Sequence, residues 1–237
     1  SFYTVIGDES QENNILNLNY SFDEPIVEKI KQDEEVYDQV SLTKCIVNNI
    51  ENKPLLPMYG TNILVPDGKK VNSIEVFGKK TKLDGTYNLE LGKAPIPLSK
   101  INKAISSDNN IDQIKISDSL YPNILFNKVC FQRYQGYNIL VLALYPVHYI
   151  QSSGELYYCK ELELSIELID DNKNFEPINK KILIKKITEM VDNPDIISTY
   201  SNNKNSMSDD SKMVIITCES LVSYFKSLSD YHTNNGV

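Results

Sequence analysis

The stretch ELELSIEL at 161–168 limits the possible folds of this 237-residue chain more than any other. Apolar and polar residues alternate strictly along it, which is the period of a β-strand with one face buried and one face in water. Glu161, Glu163 and Glu167 therefore line a solvated face, and we do not expect them to form a glycosidase carboxylate pair or a calcium site. The buried face consists of Leu162, Leu164, Ile166 and Leu168.

Further strand patterns occur near the start of the chain. ILNLNYSF at 15–22 alternates in the same way, and VYDQVSL at 36–42 shows a weaker form of the pattern. The segment 26–36 fits either a strand or a short helix. The many tyrosines, together with recurring isoleucine, valine and threonine, favour strands over helices in the chain as a whole.

The tripeptide Pro66-Asp67-Gly68 predicts a turn between two strand-like runs, at 61–65 and 71–76. Proline sets φ, aspartate bonds back to its own backbone, and glycine tolerates a positive φ. TYNLEL at 86–91 is predicted to be another short strand. KAPIPL at 93–98 contains two prolines, so it is predicted to be an edge or an extended connection.

Two longer segments, 127–150 and 154–170, together predict a hairpin joined by a glycine-containing loop. In this hairpin VLALYPVHY at 141–149 is one long strand, partnered by 156–168. Proline cannot donate a ladder hydrogen bond, so Pro146 is expected at an edge or a bulge where no partner is lost.

The composition changes after residue 176. Leu183, Ile187 and Met190 lie at helical spacing before Pro194, although a strand through 182–187 followed by a short helix fits equally well. The next segment, SNNKNSMSDDSK at 201–212, contains one apolar residue, a methionine. Such a composition is typical of a linker.

The last segment predicts a strand followed by an amphipathic helix. Residues 213–217 form a short apolar run, and from Ser220 to Tyr231 the apolar residues share one helical face, before a stop at Gly236. One strand and one helix cannot bury their own apolar faces, and a parallel crossover needs a return strand. We therefore expect the start of an α/β domain whose remainder lies downstream.

The charge of the chain excludes some partners. Its formal net charge is −8, which argues against nucleic acids and anionic membrane surfaces, because both require a basic footprint. No apolar run is long enough for a membrane-spanning helix, so no membrane insertion is expected in this segment.

The cysteines and histidines do not form a recognisable metal motif, so no metal or other cofactor is predicted. The spacings are wide among the four cysteines and between the two histidines, which are Cys45, Cys130, Cys159, Cys218, His148 and His232.

Cysteine catalysis requires a thiolate, a positioned histidine and usually a third, orienting group. Cys130 or Cys159 with His148 is the local candidate, but no orienting group can be named, so buried and inert thiols are expected. Cys130–Cys159 is the disulfide to test first. Cys218 is expected to pack in a strand–helix joint, although a helix N-terminus could lower its pKa, and His232 is expected on a helix surface.

A series of short motifs resembles, in its order, the prodomain of the gingipain-like cysteine peptidases. The motifs are PLLP, LVPDGKKV, APIP, YP near residue 121, QGYNILVLALYPVHY, GELYYCKELELSIEL and DNPDIISTY. The tail MVIITCESLVSYFKSLSDYHTNNGV is similar to the first strand and helix of that family's catalytic domain. The resemblance covers residues 54–237.

The resemblance implies a mainly β chain. An antiparallel β-sandwich prodomain over 1–200 would be followed by a linker over 201–212 and, at 213–237, by the truncated β–α start of a caspase-like α/β domain. In that family the prodomain covers the active-site cleft and assists folding until proteolysis removes it. The partner would be the chain's own catalytic domain, outside the cell or at its surface. The family's His–Cys dyad lies further downstream, so no catalytic residue is expected in this chain and it should be inactive.

Two positions depart from the family pattern. Asn52 stands where glycine is common, which affects the local turn, and His148 stands where glutamine is common, so His148 is not expected to be catalytic. If the parent peptidase cleaves after basic residues, as its best-known relatives do, Lys204 and Lys212 are the processing candidates. Ordinary solvated lysines are the open alternative. The rival interpretation of the whole chain is a cell-surface β-sandwich that binds sugar or protein.

Overall fold

The chain forms two compact units, Ser1–Tyr200 and Ser201–Val237. The first unit is mainly antiparallel β-structure, which confirms the predicted fold class. The computed structural model describes residues 14–32, 34–94, 117–171, 181–200 and 215–234.

Short strands make up most of the regular structure described in the first unit, and each named pair of them is antiparallel. The unit ends with helix α1 (Lys181–Met190) and a 3₁₀ helix (Pro194–Tyr200). The strands are β1 (Ile15–Ser21), β2 (Ile26–Gln32), β3 (Glu35–Ser41), β4 (Ile46–Asn48), β5 (Leu56–Leu64), β6 (Lys69–Phe77), β7 (Lys80–Lys82), β8 (Leu120–Tyr121), β9 (Phe126–Tyr134), β10 (Tyr137–Leu144), β11 (Val147–Ile150), β12 (Glu155–Cys159) and β13 (Glu161–Asp170).

The described strands form four sheets, with the orders β1-β13-β6, β4-β5-β10-β9, β7-β12-β11-β8 and β2-β3. One apolar core joins side chains of β1, β5, β10, β11, β12 and β13. Strand β13 is central in its sheet, and its apolar side chains at 162–168 are buried while its glutamates are exposed. The alternation predicted for this stretch is therefore confirmed.

Strand β10 differs from β13 because both of its faces are buried. Leu140, Leu142 and Leu144 belong to the main core. Tyr137 and Ile139 belong to a second cluster, which they form with α1 and the 3₁₀ helix that follows it. A strand that is covered on both faces reads as a continuous apolar run rather than an alternating one.

The predicted long hairpin is confirmed at its loop end, where β11 pairs with β12, and is wrong beyond it. Strands β9 and β10 form one hairpin and β11 and β12 form another, whereas β13 pairs with β1 and β6. Pro146 separates β10 from β11, because it has no N–H for the ladder. Its carbonyl oxygen accepts a hydrogen bond from the Cys159 N–H at 2.8 Å, and the chain continues into a different sheet.

Most of the other local predictions are confirmed. The turn at 66–68 is present, with φ of 68° at Gly68 and a hydrogen bond of 3.0 Å from its N–H to Asp67 Oδ1, and it joins strands of two different sheets. The expected strands at 15–22 and 36–42 are β1 and β3. The open alternatives resolve as strand β2 for the segment at 26–36 and as helix α1 for the segment before Pro194.

The strand predicted at 86–91 is wrong, since this segment makes isolated bridges instead. Its backbone bonds go to three different parts of the chain, so no continuous ladder can form. These bonds are Tyr87 N–H to Gly154 O at 2.9 Å, Asp38 N–H to Asn88 O at 2.8 Å, and Leu55 N–H to Glu90 O at 2.9 Å.

The turn at Asn52 forms although asparagine replaces the glycine that is common in the family. Asn52 has φ of 59°, in the left-handed region that asparagine tolerates better than most residues. Its N–H donates to Gly92 O at 2.9 Å. This departure from the family pattern therefore leaves the local backbone intact.

The second unit contains a 3₁₀ helix (Glu219–Leu221) and helix α2 (Val222–Asn234), which confirms the helix predicted from Ser220. The strand predicted at 213–217 is absent over its described part, 215–217, where no second described strand of this unit could pair with it. The predicted linker at 201–212 and the residues 95–98 lie outside the described part of the chain.

Gly154→Ala should destabilise the protein more than Gly68→Ala, although φ is 71° at one glycine and 68° at the other. A Cβ at position 154 would lie 2.6 Å from Thr86 Cγ2 and 2.9 Å from Tyr87 O, whereas position 68 has open space. We expect a loss of about 1 kcal/mol at 68 from the left-handed backbone and about 2–3 kcal/mol at 154 from strain plus the clash. Urea unfolding followed by circular dichroism measures both, and equal losses would contradict this account.

Candidate functional site

His148, the histidine of VLALYPVHY, is fully buried in β11. Its Nδ1 lies 2.7 Å from the carbonyl oxygen of Pro122, and a carbonyl only accepts, so Nδ1 carries the hydrogen. Its Nε2 is buried without a hydrogen-bond partner among the described residues. Burial lowers the pKa of His148 to about 4, and the charge of Lys80 acts in the same direction. This histidine is therefore neutral and held by the backbone.

Cys130 and Cys159, the pair to test first for a disulfide, are both free. Cys130 is exposed on the edge strand β9, whereas Cys159 is buried on β12 in another sheet. Burial raises the pKa of Cys159, the opposite of what nucleophilic catalysis requires. His148 bonds a carbonyl oxygen and not a thiol, so no Cys–His dyad is formed here.

The remaining candidate side chains are not assembled into a site either. Burial raises the pKa of the Cys45 thiol to about 12. Cys218 is exposed rather than packed, which corrects the prediction, and the hydrogen bond between its Sγ and Ser220 Oγ at 3.2 Å lowers its pKa. His232 lies in α2 beside the ring of Tyr231, as expected for a helix surface.

The described ranges contain no cluster of three or more His, Cys, Asp and Glu side chains that could hold a metal ion. Their helices are also too short or too polar to cross a membrane.

The C-terminal segment of the first unit, residues 181–200, is bound tightly to the sheet β4-β5-β10-β9. We refer to these residues as the anchor segment. Ile187, Val191 and Tyr200 are buried against Leu64 of β5 and Tyr137 of β10. The rings of Tyr137 and Tyr200 lie 4.8 Å apart between their centroids. An apolar contact of this kind fixes the last turns before the predicted linker.

Asn193 holds the anchor segment to the backbone of β5. The N–H of Leu64 donates to Asn193 Oδ1 at 2.7 Å, and Asn193 Nδ2 donates to the Leu64 carbonyl at 2.9 Å. Both residues are buried. The side-chain amide thus replaces a neighbouring strand at a point where unpaired backbone groups would be costly.

Asp192 makes a second connection, to β1 and β5. Thr61 donates to Asp192 Oδ2 at 2.6 Å, and Tyr20 OH donates to the same oxygen at 3.3 Å. Burial raises the pKa of Asp192, and the two hydrogen bonds oppose the rise. Burial also raises the pKa of Tyr20. These contacts bring three segments together that are far apart in sequence.

Tyr200 closes the anchor segment at its end. Its hydroxyl donates to the carbonyl oxygen of Val65 and accepts from the Asn138 N–H at 3.2 Å. Burial raises the pKa of Tyr200 to about 12. The chain is thus fixed up to the last residue of the first unit.

A propeptide family model, Propeptide_C25, matches residues 4–208. The chain belongs to this propeptide family. Two solved structures share the fold of this C25 propeptide. One is a complex of the Porphyromonas gingivalis RgpB pro- and mature domains, with 13% identity and a TM-score of 0.55 over 78% of this chain and 96% of that chain. The other, from a study of zymogenic latency of Porphyromonas gingivalis gingipain K, has 16% identity and a TM-score of 0.54 over 66% and 88%. No curated protein matches the sequence.

The anchor segment of this C25 propeptide includes a sequence motif whose side chains had no predicted role. DNPDIISTY at 192–200 contains Asp192, Asn193 and Tyr200. In the sequence, Pro194 marked only the end of the helical spacing, and no pattern indicated that the side chains of this motif bind β5. The two processing candidates, Lys204 and Lys212, follow the anchor segment and lie outside the described residues.

Proposed function

We propose that this chain is the prodomain of a gingipain-like cysteine endopeptidase, which covers the active-site cleft and assists folding until proteolysis removes it. The match of the propeptide family to residues 4–208 carries this proposal, since it spans the whole described part of the first unit. The fold likeness to a solved complex of pro- and mature domains supports the same role. The partner would be the chain's own catalytic domain, outside the cell or at its surface.

The proposed domain order is a prodomain at 1–200, a linker at 201–212 and the start of the catalytic domain at 213–237. The boundary between the two compact units, after Tyr200, supports this order. The apolar side chains of α2 are exposed, as expected for a helix that belongs to a larger core. They include Val222, Phe225, Leu228 and Tyr231, and Leu221 of the 3₁₀ helix just before α2 is exposed as well.

The anchor segment gives the proposal a mechanism. A prodomain tethered by a short linker stays near its partner at an effective concentration on the order of mM. Cleavage at Lys204 or Lys212 would remove that advantage while the anchor segment stayed on the prodomain. Mass spectrometry of the matured parent should find a new N-terminus between residues 205 and 213. A new N-terminus elsewhere would contradict the two processing candidates.

Inhibition in trans tests the role itself. The 237-residue chain is added to the mature peptidase domain of its parent, and hydrolysis of a peptide substrate is followed. We expect saturable inhibition that heat-unfolded chain does not reproduce. Tight binding with undiminished hydrolysis would contradict occlusion of the cleft and would favour the rival interpretation, a surface binding module.

A further inference from the structure

The buried polar side chains of the described residues differ in whether their polar atoms have hydrogen-bond partners. Thr61 bonds Asp192 of the anchor segment, and Asn193 bonds the backbone of Leu64 in β5. His148 has a partner for Nδ1 only, and its Nε2 is the one buried side-chain nitrogen or oxygen without a partner in the described part of the chain. Unpaired buried polar atoms are uncommon in folded proteins and require an explanation.

Protonation of His148 would raise the free energy of the folded state at this site. Neutral imidazole uses its Nδ1 hydrogen for the Pro122 carbonyl, and the lone pair on Nε2 accepts no hydrogen bond from the described residues. A second proton would enter at Nε2 and would place a charge where no described residue accepts a hydrogen bond from it. A buried charge without a partner is far less stable than a neutral group in the same site.

Among the described residues, the strands around His148 offer no compensating anion. Strands β5, β8 and β12 pack against β11, and β7 pairs with β12. The Glu155 carboxylate is already bonded to Lys82 Nζ at 2.5 Å and to Tyr157 OH at 2.8 Å. The titratable groups on these strands are Tyr59 of β5, Lys80 and Lys82 of β7, Tyr121 of β8, and Glu155, Tyr157, Tyr158 and Cys159 of β12.

We propose that His148 is an acid sensor within the fold, whose protonation weakens the packing between β11 and the Pro122 turn and so lowers the stability of the first unit. Pro122 directly follows β8, and β8 pairs with β11, so the histidine joins the turn to the strand beside it. If the proposed function holds, acidification would also weaken the prodomain's hold on the peptidase.

The sign and the pH window follow from linkage. The unfolded chain has an ordinary histidine pKa of 6.5, whereas the folded chain has a lower one, about 4, so the unfolded state binds more protons. The contribution of His148 to the free energy of unfolding is fully present above pH 6.5 and is lost as the pH falls towards 4. Between about pH 7.5 and pH 5 the unfolding equilibrium constant should rise about 30-fold through His148 alone.

Another buried group opposes this change. The pKa of Asp192 is raised in the folded state, so the folded state binds a proton more readily than the unfolded state does and gains relative stability in acid. The pH profile of the wild-type chain therefore contains both effects. A comparison of variants at the same pH separates them, because Asp192 is unchanged in each.

Urea unfolding of the full 237-residue chain from pH 7.5 to pH 4.5, followed by circular dichroism, tests the proposal. His148→Asn and His148→Gln keep an amide donor for Pro122 and remove the titration. In both variants we expect the unfolding equilibrium constant to rise about 30-fold less on acidification than it does in the wild-type chain. The matched control His232→Asn, at the other histidine of the chain, should respond as wild type does. Parallel profiles of the wild type and both His148 variants would overturn the proposal.

A measurement on the wild-type chain keeps the test valid if the variants do not fold. Nuclear magnetic resonance of histidine labelled with ¹³C at Cε1 should show His148 neutral at pH 5, and titration above about pH 6 would overturn the proposal. Neither experiment uses the peptidase. A failure of inhibition at neutral pH therefore counts against the proposed function, and a missing acid response counts against the role of His148.

Discussion

Replacing Ile166 with alanine is expected to lower the free energy of unfolding by about 3–4 kcal/mol. Ile166 is fully buried in β13, the central strand of its sheet, between Leu16 of β1 and Ile74 of β6. Hydrogen-bonded strands on both sides prevent the backbone from moving into the cavity that the smaller side chain leaves. The loss therefore includes both the transfer of the removed methyl groups and the cavity itself.

The matched control for this change is Glu163→Ala, on the opposite, exposed face of the same strand. Alanine there removes no buried contact, so we expect a change within about 0.5 kcal/mol. Urea titrations at neutral pH give both values. A domain of this kind is stable by about 5–15 kcal/mol in total, so the Ile166 variant should show a clearly lower midpoint. A loss of less than about 1 kcal/mol would contradict the assignment of this face to the core.

Asn193→Ala should cost about 2–3 kcal/mol, because two buried backbone groups would lose their partners at once. The N–H and the carbonyl oxygen of Leu64 both bond to the Asn193 side chain, at 2.7 Å and 2.9 Å. Water cannot replace the amide easily, since both residues are buried. The loss should be localised in the anchor segment, which would then separate from β5 more often.

Hydrogen exchange of the Leu64 amide measures that local opening. In the Asn193→Ala variant this amide should exchange about 30-fold to 150-fold faster, the equivalent of the lost free energy. Thr188→Ala is the matched control, because Thr188 is exposed and bonds only the carbonyl oxygen of Ile184 within its own helix. Unchanged protection at Leu64 would show that the asparagine does not hold the segment. A similar loss in the control would point to a general effect on the helix.

Periodicity alone predicted the parts of the fold that depend on near neighbours in sequence. The alternation at 161–168 identified β13 and its buried face, and the pattern at 15–22 identified β1. Pro66-Asp67-Gly68 identified a turn that the structure contains. These features follow from local backbone preference and from the two faces of a strand, so they appear in the sequence itself.

Strand pairing was not predictable in the same way. The partners of β10 and β13 were misjudged because the sequence shows that Pro146 interrupts a strand, but not whether the chain then continues in the same sheet. The false strand at 86–91 has the same origin, since its backbone bonds go to distant residues. Pairing depends on contacts between distant segments, which a local pattern does not record.

The sequence by itself determined the class of this protein: a mainly β chain with an acidic surface, no metal motif and an ordered series of propeptide motifs. The tertiary structure decided what individual residues do. It buried His148 against a backbone carbonyl instead of a thiol, and it joined Asn193 to the distant strand β5. The physical reason is that burial and hydrogen-bond partners arise from the packing of segments that are remote in sequence, whereas alternation, charge and turn chemistry are local.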